Sequence, residues 1–125
     1  MILGVGIDLI EVERIAEKIR KSSDFLQLVF SKDEIEYCST KLNKYEHYAA
    51  RFTAKESFFK ALGTGWKSGT AFNEIEITHN EIGKPMISFI GETAITIKNM
   101  NLGNIHVSLS HLKTVASAIV IIESK

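Results

Sequence analysis

Two carboxylates occupy positions where apolar side chains are expected. Asp8 ends the apolar run Ile2–Ile7. On a helical projection, Glu56 lies about 40° from Phe52 and about 60° from Phe59, within an otherwise apolar and aromatic stripe. A carboxylate in such surroundings needs a helix N-terminus, a cation or a metal as its partner. A hard cation such as Mg²⁺, held by Asp8 and Glu56, would explain both placements.

Each carboxylate also has a purely structural interpretation. Asp8 and Glu11 have the spacing of a helix capping box, although Ser or Thr is usual at the cap position. Glu56 and Lys60 have the i,i+4 spacing of a helical ion pair, worth about 0.2–0.5 kcal/mol if exposed. The ion pair does not explain why Glu56 lies among aromatic residues. From spacing alone, the metal-binding and structural interpretations both remain open.

Three cations accompany Glu56 on the same predicted helix: Arg51, Lys55 and Lys60. Arg51 and Lys55 are like charges at i,i+4, which repel unless they extend into solvent or an anion lies between them. Solvation is the more common outcome. However, carboxylates for a metal beside Lys and Arg for phosphate oxygens are the groups that phosphoryl transfer requires.

Two further signals are weaker. Gly63 and Gly65 follow a predicted helix, whereas glycine-rich phosphate-binding loops precede one. The two glycines therefore indicate the end of the helix, where a ligand could approach the backbone closely. His106, Ser108 and Ser110 share one face of a predicted strand. A Ser/His nucleophilic pair lacks an acidic third member nearby, so hydrogen bonding or ligand lining is the favoured interpretation.

The elements that must position these residues follow from hydrophobic periodicity and capping signals. Helices are predicted over Glu11–Lys21, from the capping box Ser31–Glu34, and over about Tyr45–Leu62. A further short helix over Thr93–Met100 is weakened by its β-branched residues. Strands are predicted over Ile2–Ile7, Phe72–Thr78, Met86–Phe89, His106–Ser110 and Val115–Glu123.

This order of elements predicts an α+β fold, with an antiparallel sheet packed on a long helix. The last strand is apolar on both faces, so it is central in a sheet or is covered by another subunit. The chain of 125 residues has the usual length of one domain, which we expect to span residues 1–125.

Composition excludes several classes of protein. Hydrophobic residues make up 45% and charged residues 24%, with fifteen basic against fifteen acidic residues. This balance excludes a disordered tail, a collagen-like fibre and a generally basic nucleic-acid binder. No apolar segment reaches the length of a membrane span. Cys38 is the single cysteine and is expected to pack as a small hydrophobic residue. Together with an N-terminus unlike a signal peptide, this predicts a cytoplasmic protein.

The ordered motifs together resemble one family. They are Gly6-Ile7-Asp8, the segment Phe52–Gly65 containing Lys55-Glu56-Ser57 and Lys60, Gly83-Lys84-Pro85, and His106–His111. This pattern is similar to that of the bacterial holo-[acyl-carrier-protein] synthases, the small-type 4′-phosphopantetheinyl transferases, over essentially the whole chain. The resemblance implies the 4′-phosphopantetheinyl transferase fold. It also implies a Mg²⁺-dependent enzyme of fatty acid biosynthesis that moves phosphopantetheine from coenzyme A to a serine of apo acyl carrier protein, releasing adenosine 3′,5′-bisphosphate.

The resemblance also implies roles for individual residues. Asp8 and Glu56 would bind Mg²⁺, and Lys60 would neutralise charge on the transferring phosphate. The serine proton would pass to Glu56 or to a metal-bound water that Glu56 orients. The nucleotide of coenzyme A would be bound by the following groups: Arg51, Lys55, Lys60, the Gly63–Gly65 backbone, Lys84, Pro85 and His106.

Partners follow from the same resemblance. Family members form homotrimers with coenzyme A bound between subunits. Arg14, Lys18 and Lys21 share one side of the first helix, and the resemblance assigns that side to docking the acidic carrier protein. Without the resemblance, the same residues are a solvated basic edge.

Two other functions fit some of these residues. A metal-dependent phosphohydrolase could use the same carboxylates. A non-catalytic module could bind the carrier protein alone, although the presence of Asp8, Glu56 and Lys60 argues against it.

Overall fold

The structure, a computed structural model, describes all of the chain, Met1–Lys125. Its strands are β1 (Ile2–Glu11), β2 (Ile75–His79), β3 (Pro85–Phe89), β4 (Leu102–His111) and β5 (Val115–Ser124). Its helices are α1 (Val12–Lys21), α2 (Phe25–Val29), α3 (Lys32–Ser39), α4 (Lys44–Leu62) and α5 (Gly91–Asn99). A 3₁₀ turn, Phe72–Glu74, precedes β2. None of the helices combines the length and the apolar character needed to cross a membrane.

The strands form two antiparallel sheets. β5 is the central strand of a three-stranded sheet in the order β1–β5–β4, and β2 pairs with β3 in a separate hairpin. The expected α+β architecture and the central place of the apolar last strand are therefore confirmed. Residues of β5 alternate between buried and half-buried, because α4 covers only one face of this sheet.

Helix α4 runs through the middle of the molecule. It contributes Phe58 and Phe59 to a core cluster with the sheet, and Tyr48 and Ala49 to a second cluster with α1 and α3. Its buried residues therefore extend well beyond the single aromatic stripe that the sequence predicts. The helix ends at Gly63, whose φ of 79° is the left-handed conformation expected of a glycine that terminates a helix.

Strand β1 lies against α4 almost backbone to backbone. A Cβ atom at Gly4 would lie 1.8 Å from the Ala61 carbonyl oxygen, and one at Gly6 would lie 2.0 Å from the Ser57 carbonyl oxygen. Only glycine fits at both positions. Since alternate strand residues share a face, Asp8 points to the same side as these glycines, towards α4.

Several local predictions are confirmed and others need correction. The capping box is present: the Glu34 carboxylate accepts from Ser31 N at 2.9 Å, and Ser31 Oγ accepts from Glu34 N at 3.2 Å. Asp8, in contrast, is not a helix cap, because β1 continues to Glu11 and α1 begins without a side-chain cap. Phe72–Glu74 forms a 3₁₀ turn rather than the start of a strand.

The short helix predicted at Thr93–Met100 is observed as α5, although its β-branched residues disfavour a helix. Tertiary contacts explain the difference. Thr93 and Ile97 are buried, and the Thr93 hydroxyl accepts from Ala71 N and donates to the Glu74 carboxylate. Helix α2 is not signalled by the sequence patterns considered above.

The face of the three-stranded sheet that points away from α4 is apolar and open; we call it the open sheet face. On β1 its residues are Leu3, Val5, Ile7 and Leu9, each more than half exposed. Ile121 lies between Val5 and His106, and the next row is Ile7, Ile119 and Ser108. A continuous apolar surface of this kind is typical of a protein interaction site.

Candidate active site

The two carboxylates singled out in the sequence come together beside Lys60. The Lys60 ammonium donates to Asp8 Oδ1 at 3.0 Å and to the Ile7 carbonyl oxygen at 3.0 Å. Lys60 is half exposed, whereas Asp8 is largely covered. Because Lys60 and Glu56 are one helical turn apart on α4, the close packing of β1 on α4 places all three charged groups in one cluster.

The environment of Glu56 disfavours its charge. Partial burial raises the pKa of the Glu56 carboxyl, the nearby Asp8 carboxylate raises that pKa further, and Lys60 opposes both. Two carboxylates that repel each other are a natural site for a cation. No group of three or more His, Cys, Asp or Glu side chains could hold a metal ion. A cation here must therefore take its other ligands from water or from a bound molecule, which is usual for Mg²⁺.

A glycine-containing loop follows directly after this cluster. Gly63 and Gly65 have φ values of 79° and 63°, a conformation that side chains rarely adopt. The Thr64 hydroxyl donates to the Gly65 carbonyl oxygen, and the Trp66 indole N–H donates to the Thr70 carbonyl oxygen at 3.2 Å. The loop thus has a defined conformation next to Lys60, and its backbone is exposed.

Arg51 lies in a separate cavity of about 250 Å³ between α3, α4 and β2, which we call the Arg51 cavity. Its side chain is buried and stacks on Tyr37, with Cζ 4.6 Å from the ring centroid. Its contacts with the His47 carbonyl oxygen and with His79 Nδ1 are long, at 3.4 and 3.5 Å. Its Nε atom is buried without any hydrogen-bond partner. The guanidinium therefore retains donors for an anionic ligand.

The turn containing Lys84 and Pro85 lies beside the Arg51 cavity. His79 lines the cavity and pairs with Pro85 across the β2–β3 hairpin. The Asn80 side chain fixes the turn by accepting from Ile82 N and from Lys84 N. Burial, followed by the charge of Arg51, lowers the pKa of His79 and so favours its neutral form. The structure thus places Pro85 beside a residue that lines the Arg51 cavity, with Lys84 in the adjoining turn.

Comparison with known proteins identifies the family. Residues 4–115 match the model of the 4′-phosphopantetheinyl transferase superfamily. The holo-[acyl-carrier-protein] synthase of Syntrophus aciditrophicus is 40% identical over 124 residues, covering 98% of this chain and 97% of that protein. The synthase of the same name from Cytophaga hutchinsonii is 43% identical over 123 residues, with 97% of each covered. The chain belongs to the 4′-phosphopantetheinyl transferase superfamily.

A solved structure of this superfamily shares the fold. The crystal structure of the Bacillus anthracis holo-(acyl-carrier-protein) synthase in complex with CoA (3′,5′-ADP) matches with a TM-score of 0.82 and 32% identity. The match covers 100% of this chain and 99% of that chain. The phosphopantetheinyl transferase fold expected from the sequence is thus confirmed.

Lys55, which the sequence predicts to contact the nucleotide, instead forms hydrogen bonds inside the protein. Lys55 is fully buried, and its ammonium donates to the Glu34 carboxylate at 2.6 Å. It also donates to the carbonyl oxygens of Val29 and Phe72, at 2.7 and 2.8 Å. All three ammonium hydrogens therefore have partners inside the protein. The structure does not support direct contact of Lys55 with the nucleotide, and an internal anion, rather than solvent, relieves its repulsion with Arg51.

His106 does not join Arg51 within one chain. It lies on the open sheet face beside Ile121, and its Nε2 lies 2.7 Å from the Glu123 carboxylate. His111 lies on the opposite face, where its Nδ1 is 2.9 Å from the Glu46 carboxylate and its ring is 5.7 Å from that of His47. The sequence contained a signal for this difference: by period two, His111 shares a face with the buried Val107, whereas His106 does not.

The predicted basic side of α1 is present. Arg14, Lys18 and Lys21 line one shallow groove of about 470 Å³, together with Glu17, Ser22 and Phe25. Glu17 Oε2 lies 3.8 Å from the Lys21 ammonium, and both groups are exposed, so this acid only weakly offsets the groove's positive charge. The groove combines a cationic rim with one aromatic side chain.

Proposed function

We propose that this chain transfers the 4′-phosphopantetheine group of coenzyme A to a serine of apo acyl carrier protein, releasing adenosine 3′,5′-bisphosphate. The observation that carries the proposal is the cluster of Asp8, Glu56 and Lys60, formed in a chain of this superfamily. The presence of a CoA-derived nucleotide in the Bacillus anthracis relative supports the choice of donor. This reaction would serve fatty acid biosynthesis, in the cytoplasm predicted from the sequence.

Asp8 and Glu56 are suited to hold a Mg²⁺ ion. They supply two oxygen ligands at a site where their charges repel, and the remaining positions would be filled by water and by the pyrophosphate of coenzyme A. When bound, the ion would neutralise the pyrophosphate and stabilise the leaving group. Lys60 already neutralises Asp8 by a direct hydrogen bond and would turn towards the phosphate oxygens when coenzyme A is present.

The transfer step requires the serine to lose a proton as it attacks phosphorus. Glu56 is the suitable acceptor, either directly or through a water that it orients, because its carboxylate lies beside Asp8 and Lys60 in the same cluster. Lys60 would stabilise negative charge on the transferring phosphate. The exposed backbone at Gly63–Gly65 would lie along the donor beside Lys60.

The Arg51 cavity would hold the nucleotide. Its buried guanidinium suits a phosphate oxygen, and Tyr37 offers an aromatic surface beside it. Lys84 and Pro85 would complete the region for the adenine and the 3′-phosphate. His106 lies on the open sheet face, so it would reach the nucleotide site of a neighbouring subunit, whereas His111 lies on the same side of the sheet as α4 and is a further candidate within one chain.

We further propose a homotrimer whose active sites form between subunits. Arg51 and Glu56 lie about 140° apart around α4, since each residue of a helix advances by about 100°. The Arg51 cavity and the metal site therefore face different directions in one chain. Assembly through the open sheet face would cover its apolar residues and place the Arg51 cavity of one subunit near the carboxylates of its neighbour.

The carrier protein would dock on the groove lined by Arg14, Lys18 and Lys21. Acyl carrier proteins are acidic, and a cationic groove attracts an acidic partner over several ångströms. Because Phe25 lines the same groove, an apolar contact can accompany the charges. Docking there would orient the carrier serine without using any residue of the metal site.

Mass spectrometry tests the reaction directly. Apo acyl carrier protein incubated with coenzyme A, Mg²⁺ and this protein should gain the mass of one phosphopantetheine group. The same incubation without carrier protein should release no adenosine 3′,5′-bisphosphate. Release without carrier would indicate a phosphohydrolase. Binding of the carrier without any mass gain would indicate a non-catalytic module.

A further inference from the structure

A buried ion pair lies next to the Arg51 cavity and has no part in the transfer step described above. The ammonium of Lys55 and the carboxylate of Glu34 are 2.6 Å apart and almost completely inaccessible to solvent. Burial of an ion pair is costly unless its remaining hydrogen-bonding capacity is satisfied. Here it is satisfied, because Lys55 has two carbonyl partners, and Glu34 also accepts from the backbone of Ser31 and Ile77.

Glu34 reaches the same cavity as Arg51. Both side chains line it, Glu34 from the first turn of α3 and Arg51 from α4. Lys55 follows Arg51 by one helical turn, about 40° around α4. A negative charge, its compensating positive charge and the proposed phosphate-binding arginine are thus close neighbours. Asp33 also lines the cavity but is exposed, so water screens its charge.

Arg51 has no acidic partner of its own. None of the ion pairs in the structure includes it, and its contacts are with the His47 carbonyl oxygen, His79 Nδ1 and the Tyr37 ring. Its Nε atom has no partner at all. The three buried groups, Glu34, Lys55 and Arg51, carry a net charge of one positive unit. This net positive charge can attract an anionic ligand only while Lys55 neutralises Glu34.

We propose that Lys55 is a positioning residue that neutralises Glu34 and thereby keeps Arg51 free for the nucleotide phosphate of coenzyme A. The inference rests on the proposed function, because it concerns the affinity of that same nucleotide site. If Lys55 loses its charge, the Glu34 carboxylate competes with the phosphate for Arg51. Lys55 then acts on nucleotide binding, whereas Glu56 and Lys60 act on the transfer step.

Three variants that change the charges of Lys55 and Glu34 distinguish the neutralising role of Lys55 from a role in packing alone. Lys55→Met removes the positive charge and leaves Glu34 unpaired. Glu34→Gln removes the negative charge and keeps acceptors for Lys55. The double variant Lys55→Met/Glu34→Gln restores the wild-type net charge of one positive unit, although it loses the whole ion pair. A packing role predicts that all three variants weaken binding and that the double variant is no better than either single one.

The probe is adenosine 3′,5′-bisphosphate, with binding measured by calorimetry and transfer kinetics measured in parallel. Lys55→Met should weaken binding by about tenfold or more, the range expected when a charged hydrogen bond is lost. The KM for coenzyme A should rise similarly, while kcat at saturating coenzyme A stays within about threefold of wild type. Glu34→Gln should bind at least as tightly as wild type, because it removes a negative charge beside the phosphate whether or not the buried Lys55 keeps its proton. The double variant should bind within about threefold of wild type.

Weaker binding by Glu34→Gln would overturn the inference, even if Lys55→Met failed to fold. A double variant that binds no better than Lys55→Met would also overturn it. Failure of the proposed function has a different signature: the wild-type protein would modify no carrier protein. If transfer proceeds normally and the variants do not follow the predicted order, only the inference fails. Circular dichroism and the Tm of each variant establish that the comparison is made on folded protein.

Discussion

At the scale of single residues, the most informative group is Glu56. It lies partly buried beside Asp8, and both burial and the neighbouring carboxylate raise the pKa of Glu56 in the folded state. Such an arrangement reduces stability at neutral pH, because the folded protein must hold a charge that its surroundings disfavour. Residues that lower stability in this way are often kept for function. The electrostatics of Glu56 therefore agree with a role in catalysis.

Glu56→Gln should abolish transfer while stabilising the protein without ligand. We expect the Tm at pH 7 to rise by about 1–4 °C, a modest gain because solvent screens part of the interaction. Transfer to the carrier protein, measured by mass spectrometry, should fall below detection. Glu36→Gln is a suitable control, since Glu36 is exposed in the second turn of α3 and should change neither quantity. Near-normal transfer by Glu56→Gln would contradict the proposed role.

The stabilisation should depend on pH in a defined direction. A carboxyl group whose folded-state pKa is raised lowers stability only above the pKa of the unfolded chain, where the unfolded state ionises first. The Tm difference between wild type and Glu56→Gln should therefore be largest near neutral pH. It should vanish as the pH falls below the ordinary pKa of Glu. A difference that grew towards acid pH would show that another interaction controls it.

At the scale of secondary structure, the contact between β1 and α4 determines the geometry of the proposed metal site. Gly6 lets the two backbones approach, and Asp8 follows it on the same face of the strand. The strand continues past Asp8 to Glu11, so its backbone is fixed on both sides of the carboxylate by pairing with β5. A change in the separation of β1 and α4 should therefore alter the Asp8–Glu56 distance.

Gly6→Ala should lower both stability and activity. The added methyl group would lie within 2.0 Å of the Ser57 carbonyl oxygen, so the strand must move away from the helix. Overpacking of this kind typically lowers the free energy of unfolding by about 1–3 kcal/mol. Denaturant unfolding gives that value, and the KM for Mg²⁺ should rise because Asp8 is displaced. Ser88→Ala, an exposed change on β3, is the control. An unaffected KM for Mg²⁺ would contradict the link between this contact and the metal site.

Helix α1 carries a prediction for the carrier protein. Reversing two cations, Arg14→Glu and Lys18→Glu together, should raise the KM for acyl carrier protein about tenfold or more and leave kcat within about threefold. The effect should shrink as salt is added, because screening weakens long-range attraction. The control pair Lys98→Glu and Lys125→Glu makes the same change in net charge away from the groove. An unchanged KM for the carrier protein would refute the docking assignment.

Much of this architecture could be predicted from local signals. The capping box at Ser31, the end of α4 at Gly63 and the central place of β5 each follow from a residue pattern and a physical rule. The environment of Lys55 could not be predicted, because its partner Glu34 precedes it by 21 residues and local patterns indicate only that Glu34 caps α3. Glu34 both caps α3 and pairs with Lys55, and no local rule predicts the second role. The same limit applies to Asp8, whose neighbours are fixed by the packing of β1 on α4.

At the scale of the whole molecule, the open sheet face is the feature that a single chain leaves unexplained. Leu3, Val5, Ile7 and Leu9 are each more than half exposed and form one surface. The net charge of zero gives no general repulsion between copies. Covering this surface in a homotrimer would remove it from water and would also bring together the two halves of the proposed site.

Ile7→Glu should dissociate the proposed trimer. Light scattering after size-exclusion chromatography should give the mass of three chains for wild type and of one chain for the variant. Ile95→Glu is a closely matched control, because Ile95 on α5 is 63% exposed and Ile7 is 65% exposed. Only the change on the open sheet face should alter the mass and abolish transfer. A wild-type protein with the mass of one chain would contradict the trimer.

Mixing two inactive variants tests whether the site is shared between subunits. Arg51→Ala removes the proposed nucleotide ligand, and Glu56→Gln removes a proposed metal ligand about 140° away around the same helix. If each site takes Arg51 from one subunit and Glu56 from its neighbour, trimers reassembled from both variants contain some sites with both residues intact. Mixed trimers should therefore regain transfer activity, whereas each variant alone stays inactive. Recovery should require exchange of subunits and should be absent when Ile7→Glu is added to both variants. If mixing restores nothing although mass spectrometry detects mixed trimers, each site is contained within one chain.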